Sequence, residues 1–228
     1  MSELLATPLF GIALTLLVYR LAELLYRRTH FILFNPVALS IIAIILLLKS
    51  LAIPYADYAR GGDMILFLLG PAVVALALPL YQRRGEILKR KLPILLGIVA
   101  GALTSIITAA GTAWLLGGSR EVVLSLVPKS VTTPIAIGIA EKIGGIVPLT
   151  AALVVLTGCL GAICGPEFCR LIGIRSSAAM GLAVGTAAHG IGTARVLEED
   201  RFAGAVAGLA IGLNGLATSL LVPLLWIF

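Results

Sequence analysis

Long apolar stretches alternate with short polar segments along the whole chain. A helix needs about 20 apolar residues to cross the hydrocarbon core of a bilayer, and several stretches approach or exceed that length. They predict spans over residues 4–26, 36–48, 63–81, 92–117, 146–165 and 202–228. The third of these spans is broken at Gly70-Pro71 and ends at Pro79. The pattern is typical of a polytopic helical membrane protein.

Local signals refine two of these spans. Asn35 precedes Pro36, which predicts a helix N-cap followed by proline at the first helical position. In the first span, Glu23 is placed to pair with Arg20 or Arg27, three and four positions away on a helix. Residues 49–62 are predicted to form a short polar connection.

Residues 119–145 do not fit a simple span. Pro128 and Pro134 bracket a polar run, and each proline lacks an N–H and restricts the residue before it, so a helix is interrupted there. We predict a half-helix on either side of this run. Lys129 and the freed backbone groups would be costly in lipid, so the run is expected to line an enclosed or watery cavity. A surface loop between two spans is the alternative.

A second broken region follows the fifth span. We predict a half-helix over residues 166–174, another over 178–190 and a polar segment over 191–201, with Gly190 as a helix breaker. Shifting the sequence by 47 residues superposes Ser130 on Ser177 and Lys142 on His189, with Ala and Gly identities between. This echo suggests that the two regions are equivalent. One span separates them, so we predict an inverted repeat, the usual architecture of secondary transporters.

Composition agrees with this class. Hydrophobic residues make up 60% of the 228 residues and charged residues only 12%, against about 25% charged in soluble domains. We therefore predict an all-α membrane protein with about six full spans plus two broken or re-entrant helical regions. Residues 1–228 are treated as a single transmembrane domain. Its parts are four spans in 1–118, the broken regions and a fifth span in 119–201, and the last span in 202–228.

Basic residues indicate the orientation. The loop over residues 82–91 contains five of them against Glu86, namely Arg83, Arg84, Lys89, Arg90 and Lys91. Cytoplasmic loops are enriched in Lys and Arg, which places this loop in the cytoplasm and both termini outside. If the broken regions are re-entrant, more of the 17 basic residues lie on the cytoplasmic side than if both regions cross the membrane completely. A nucleic-acid interface is not favoured, because interleaved aromatic residues are missing.

The polar residues of the broken regions predict a site for a small anion. Lys129 provides charge, and hydroxyl, imidazole and amide groups provide hydrogen-bond donors: Ser130, Thr132, Thr133, Ser176, Ser177, His189, Thr193 and Asn214. Half-helices starting near Pro134 and Ala178 would point their N–H groups toward the same region. His189 is suited to carry a coupled proton, since imidazole titrates near neutral pH. Its alternative role is structural packing, and Asn214 could equally join helices.

Four segments together resemble the LrgB/CidB family of antiholin-like, murein-hydrolase-regulator membrane proteins. They are LLGPAVVALALPLY, PKSVTTPIAIGIAEKIGG, GPEFCRLIGI and GLAVGTAAHGIGTARVLEED. The plastid glycolate/glycerate translocator is similar over its C-terminal half. The resemblance begins near Phe31, and the first span matches only as a generic span.

The resemblance implies two functions in a plasma membrane. One is transport of small carboxylates such as pyruvate or glycolate. The other is antiholin-like control of murein hydrolases and lysis with an LrgA/CidA-type partner. The sequence does not decide whether the protein forms a homodimer. The polar cluster inside apolar half-helices favours transport, because a pore subunit would be expected to show amphipathic spans.

Enzymatic function is not predicted. The sequence has two histidines, no HExxH motif and no GxSxG motif, so neither a metal centre nor a nucleophile elbow is indicated. Cys159, Cys164 and Cys169 are spaced by five residues and are expected to be packing residues. We expect no cofactor.

Overall fold

The computed structural model describes residues 7–29, 31, 34–68, 71, 74–75 and 77–225. These residues form helices and turns and contain no strand, which confirms the all-α prediction. They fall into two compact units that divide between Ala75 and Leu76. The expectation of a single domain stays a prediction.

In the described part of the first unit there are three helices: α1 (Pro8–Thr29), α2 (Pro36–Ser50) and α3 (Tyr55–Phe67). The predicted cap of α2 is confirmed, since Asn35 Oδ1 accepts hydrogen bonds of 3.1 Å from the N–H groups of Val37 and Ala38. Glu23 pairs with both Arg20 and Arg27, as predicted.

The prediction of a polar connection over residues 49–62 was wrong in its second half, because α3 begins at Tyr55. This helix packs against α1, and a Cβ on Gly11 would lie 3.0 Å from the Cα of Gly61. The two glycines let the backbones approach closely, and this packing supports a helix despite its polar residues. The predicted break at Gly70-Pro71 involves Gly70, which lies outside the described residues.

The second unit is built from the remaining helices. They are α4 (Ala77–Gln82), α5 (Arg84–Leu88), α6 (Lys91–Leu115), α7 (Arg120–Leu126), α8 (Thr133–Ile143), α9 (Val147–Leu171), α10 (Ser177–Glu199) and α11 (Arg201–Leu225). Within the described residues, α1, α6, α9 and α11 are long and apolar enough to cross a membrane, and α2 is a shorter apolar helix. The predicted total of six full spans stays a prediction.

Helix α9 corrects the predicted second half-helix. The chain does not break at Pro166, and α9 continues to Leu171 with this proline buried inside it. A proline removes one backbone hydrogen bond, and such a loss is tolerated where neighbouring helices enclose the position. Gly165 packs against Val184 of α10 next to this proline, which provides such an enclosure.

Helix α10 is a hairpin that reverses at His189. This residue has φ 42° and ψ −138°, so the break lies one residue before the predicted breaker Gly190. The first arm, Ser177 to Ala188, runs antiparallel to α9, because Gly165 faces Val184 and Gly161 faces Ala188. The same arm runs parallel to α11, as Gly181 and Gly185 pack on Ala203 and Ala207.

Both ends of this hairpin lie at one end of α9. Arg195 Nη2, on the returning arm, is 3.3 Å from Glu167 Oε1 near the C-terminus of α9. Ser177, at the start of the first arm, lies close enough to Asp200, just beyond the returning arm, to lower the pKa of its carboxyl. The first arm of 12 residues is about 18 Å long, roughly half of a membrane crossing. Thus α10 re-enters instead of crossing, and we call it the second hairpin.

The first hairpin consists of α7, residues 127–132 and α8. It descends along α6 from the Leu115 end, because the Gly118 N–H binds the Ala113 carbonyl while Ser130 contacts Ser105, near the middle of α6. It returns to the same end, where the Ile146 N–H donates to Ser125 Oγ at 2.8 Å. Pro128 is buried in the turn, and Pro134 lies in the first turn of α8.

The two hairpins enter from opposite ends of the bundle. The first arm of α10 is parallel to α6, as Gly97 faces Leu182 and Gly101 faces Thr186. Since the same arm is antiparallel to α9, α6 and α9 are themselves antiparallel. Each of these spans is followed by a re-entrant hairpin, which gives the predicted inverted repeat its geometry.

The 47-residue echo does not match this repeat. It pairs Ser130, at the tip of the first hairpin, with Ser177, at the base of the second. The structural counterpart of the first tip is the region of His189. Small residues occur wherever these helices pack closely, so Ala and Gly identities arise at shifts that have no structural meaning.

Candidate functional site

The tips of the two hairpins meet at Asn214 in the middle of α11. Its Nδ2 donates to the Ser130 carbonyl at 3.1 Å and to the Thr186 carbonyl at 3.0 Å. Asn214 is 1% exposed, so both bonds form inside the protein. Each carbonyl needs a donor from another segment, because the helices of the two hairpins are interrupted nearby, at residues 127–132 and at His189. One amide therefore ties both broken regions to a span.

Lys129 and Ser130 occupy the tip of the first hairpin. The Lys129 ammonium donates to Ser130 Oγ at 3.2 Å, and Ser130 Oγ is 2.8 Å from Ser105 Oγ on α6. Ser130 is buried and Lys129 is half-buried. The alternative of a surface loop between two spans is thus not what the structure shows. The cation lies inside the bundle, near the middle of α6.

His189 forms the tip of the second hairpin. Its Nε2 is 2.8 Å from the Val154 carbonyl of α9, and the ring is buried. Gly158 makes room for the ring, because a Cβ there would lie 2.6 Å from His189 Cε1. A histidine with positive φ is uncommon, and such strain is concentrated at functional positions.

Helix ends also meet here, but only one of the two that the sequence predicted is among them. Thr132 is the N-cap of α8 and Thr133 its first residue, so this helix starts at the first tip as expected. The arm that begins at Ser177 starts at the far base of the second hairpin. Instead, the returning arm from Gly190 begins at the tip, and its free N–H groups carry the positive end of the helix dipole.

Five residues make up what we call the tip site: Lys129, Ser130, Thr186, His189 and Asn214. Thr132, Thr133 and Gly190 flank it, and Thr193 lies buried on the returning arm. Ser176 is exposed and Ser177 is half-buried at the opposite base, where Ser177 lies near Asp200. The structure therefore does not bring these two serines to the tips.

Sequence reasoning missed three contributors. Ser105 and Gly158 lie on spans, and Thr186 lies inside the first arm of α10. Small and weakly polar residues in an apolar helix are common packing residues, so no signal singled them out. Arg195 lies away from the tips, because it pairs with Glu167 and Glu199 at the hairpin base.

The tip site has unused hydrogen-bonding capacity. Asn214 Oδ1, Thr186 Oγ1 and Thr193 Oγ1 are buried and have no hydrogen-bond partner within the described part of the chain. Buried polar atoms are rarely left unpaired, so a ligand or water is expected to meet them. The described residues contain no group of three or more His, Cys, Asp or Glu side chains that could hold a metal.

Comparison with known proteins agrees with the architecture. The model of the LrgB-like family matches residues 15–228. The chain belongs to the LrgB-like family. It is 38% identical over 218 residues to the uncharacterized protein YxaC of Bacillus subtilis, covering 95% of each chain. It is 32% identical over 225 residues to the holin-like protein CidB of Staphylococcus epidermidis, covering 99% of this chain and 98% of that one.

No solved structure matches this LrgB-like chain. The family match covers both hairpins and the span between them, so the tip site lies entirely within the LrgB-like region. The predicted resemblance is confirmed, and with it the assignment as a multi-pass membrane protein of this family. The names of the relatives mention no substrate.

Proposed function

We propose that this LrgB-like protein transports a small carboxylate, such as a 2-oxo or 2-hydroxy acid, and binds it at the tip site. The observation that carries the proposal is the meeting of two oppositely inserted hairpins around Lys129, Ser130, His189 and Asn214. Broken helices that meet near mid-membrane are the recurrent binding arrangement of secondary transporters. Lys129 inside an apolar bundle needs a compensating role, and an anionic substrate supplies one.

The chemistry of the tips suits a carboxylate. The Lys129 ammonium, the Ser105 and Ser130 hydroxyls and the N-terminal N–H groups of α8 and of the returning arm are donors or positive dipole ends. The unpaired oxygen of Asn214 can accept a hydrogen bond from a substrate hydroxyl or a protonated group. The site would be exposed alternately to the two sides of the membrane if each hairpin moved to open it toward the end of the bundle from which that hairpin enters.

A coupled proton fits the same site. Lys129 and His189 occupy the two hairpin tips that Asn214 ties together, so a carboxylate bound at Lys129 would lie near the imidazole. A negative charge beside an imidazole favours its protonated form, so we propose that His189 takes up a proton together with the substrate.

We further propose that the basic end of the second unit faces the cytoplasm of the cell whose plasma membrane holds the protein. Its basic loop 82–91 lies at the same end as Arg170, Arg175 and Arg201, whereas Arg120 and Lys142 lie near the opposite end.

Cysteine labelling in a variant without the three native cysteines tests the orientation. A cysteine at Gln82 should be protected from impermeant reagents in intact cells, and one inserted directly after Met1 should be labelled. Labelling of both from the same side would overturn the orientation.

Uptake into proteoliposomes tests the transport function. Labelled pyruvate, glycolate and lactate should each be offered to vesicles with the protein, to empty vesicles and to vesicles with Lys129→Ala. We expect uptake of at least one acid that needs the protein and is lost in the variant. If the natural protein, correctly inserted, moves none of a panel of small carboxylates, transport of this class is wrong.

A second function, control of cell lysis, is favoured by one observation: the relative CidB is named a holin-like protein. Regulation of this kind would act through an LrgA/CidA-type partner or through self-association. The two functions can be distinguished by expressing variants in a strain that lacks the protein. If Lys129→Ala restores normal lysis behaviour although uptake is lost, lysis control does not depend on transport.

A further inference from the structure

An apolar groove opens beside the basic loop at the Lys91 end of the bundle. It has a volume of about 500 Å³ and lies between α5, the start of α6 and the middle of α11. Its wall includes Ile94 of α6 and Leu209 and Leu213 of α11, and its rim carries Tyr81, Arg84 and Lys91. Aliphatic side chains thus form the interior and two cations form one edge.

The cations on the rim remain available to an anion. Arg84 donates to the Tyr81 carbonyl at 3.0 Å and stacks on the Tyr81 ring, with 4.2 Å between Cζ and the ring centroid. Neither contact neutralises its charge. Glu86, the acidic residue of this loop, is paired with Arg83 at 2.7 Å. Within the described residues, Arg84 and Lys91 have no acidic partner.

The position of the groove selects the kind of ligand. Lys91 is the first residue of the α6 span, so the rim lies where lipid headgroups meet water and Ile94 lies one turn deeper. A ligand that fits both parts has an apolar chain and a negative head. A free inorganic anion would leave the aliphatic wall empty, and a neutral lipid would leave the cations unpaired.

We propose that this groove binds an anionic phospholipid, with its phosphate at Arg84 and Lys91 and an acyl chain against Leu209 and Leu213. Basic pockets between membrane helices are a recognised way of binding such headgroups. Leu213 directly precedes Asn214, so a bound chain would pack on the helix that ties the two hairpin tips together. The proposal does not depend on the transport function.

Mass spectrometry of the intact protein, purified in mild detergent from vesicles of phosphatidylcholine and phosphatidylglycerol in equal amounts, tests the site. We expect retained phosphatidylglycerol on the natural protein. Retention should fall about tenfold, equal to about 1.4 kcal/mol, when Leu209→Trp fills the groove. Leu95→Trp is a second filling variant in case the first folds poorly. Leu216→Trp is the control, since Leu216 is 63% exposed on the same helix and does not line the groove.

Charge variants test the headgroup. The double variant Arg84→Gln/Lys91→Gln should lose retention as strongly as the filling variants, and Arg120→Gln/Lys142→Gln, at the other end, should not. The proposal is overturned if the filling variants retain the lipid at the natural level. It is also overturned if phosphatidylcholine is retained equally well, or if cross-linking shows a second copy of the chain in the groove.

Discussion

Asn214 and Ser130 lie 84 positions apart, yet the Asn214 amide donates to the Ser130 carbonyl at 3.1 Å. The same Nδ2 donates to the Thr186 carbonyl, so one side chain holds both broken regions. A span, a hairpin from one end and a hairpin from the other end are thereby fixed to each other. This junction accounts for how a polar cluster can persist in an apolar bundle.

Asn214→Asp should damage this junction more than its small change in shape suggests. A carboxylate cannot donate to either carbonyl, and each buried group left unpaired costs about 1–3 kcal/mol. It would also place a negative charge beside the proposed anion site. We expect a lower melting temperature and loss of carboxylate uptake. Asn35→Asp is the matched control, because aspartate caps a helix as well as asparagine does. Normal uptake by Asn214→Asp would contradict the proposed site.

Lys129→Ala should abolish substrate uptake while the protein still inserts into the membrane. Lys129→Arg should restore only part of it, because a planar guanidinium does not replace a compact ammonium. Lys142→Ala serves as the control, since Lys142 is exposed on the same hairpin. Uptake and surface expression should be measured together. Transport by Lys129→Ala at the natural rate would show that this cation has no part in binding.

Gly158→Ala should displace the His189 ring. The new Cβ would lie 2.6 Å from Cε1 and 2.9 Å from Nε2, so the ring must move and its bond to the Val154 carbonyl is lost. Overpacking of this kind typically costs about 1–3 kcal/mol. We expect reduced uptake and a lower melting temperature. Gly111→Ala in α6 has open space around the added methyl group and should change neither.

Much of the fold is predictable from local sequence signals. The spans follow from apolar runs, the cap at Asn35 from its position before Pro36, and the first break from Pro128 and Pro134. These features depend on the chemistry of single residues or short runs. The first hairpin was therefore identified correctly.

The second hairpin shows where such signals end. Pro166 predicted a break, but α9 contains this proline and continues to Leu171. The actual reversal occurs at His189, and positive φ is uncommon for any residue other than glycine. It is held there by contacts with Val154 and Gly158, which lie more than 30 positions earlier. Tertiary contacts determine this geometry, and a single sequence does not display them.

Ser177 has a structural role that acid titration can detect. Its hydroxyl is the main reason that the pKa of the Asp200 carboxyl lies below its ordinary value, with smaller contributions from the Ala203 and Phe202 N–H groups and from Arg83, while burial acts in the opposite direction. Because the folded-state pKa is lowered, ionised Asp200 stabilises the fold above its unfolded-state pKa. That contribution is lost as the pH falls through the folded-state pKa.

Ser177→Ala should consequently lower the melting temperature at neutral pH but not in acid. The loss should be less than about 1 kcal/mol, because Asp200 is only half-buried and solvent screens the interaction. The difference between variant and natural protein should shrink as the pH falls below the ordinary aspartate range of about 3.9. Ser176→Ala, at the exposed neighbouring position, should show no difference. A constant difference down to the lowest pH measured would rule out the hydrogen bond to ionised Asp200.

His189 is expected to make carboxylate uptake depend on pH. When its ring is protonated, a second positive charge joins Lys129 beside the bound anion, so affinity should rise as the pH falls through the imidazole range. His189→Gln keeps a donor for the Val154 carbonyl but cannot take up a proton, so its uptake should be flat over the same range. Initial rates in proteoliposomes between about pH 5 and pH 8 measure this, with the internal pH held constant. An unchanged pH profile in the variant would remove histidine from the coupling mechanism and leave the anion site at Lys129 in place. Uptake in the natural protein that rises with pH would contradict the proposed charge effect.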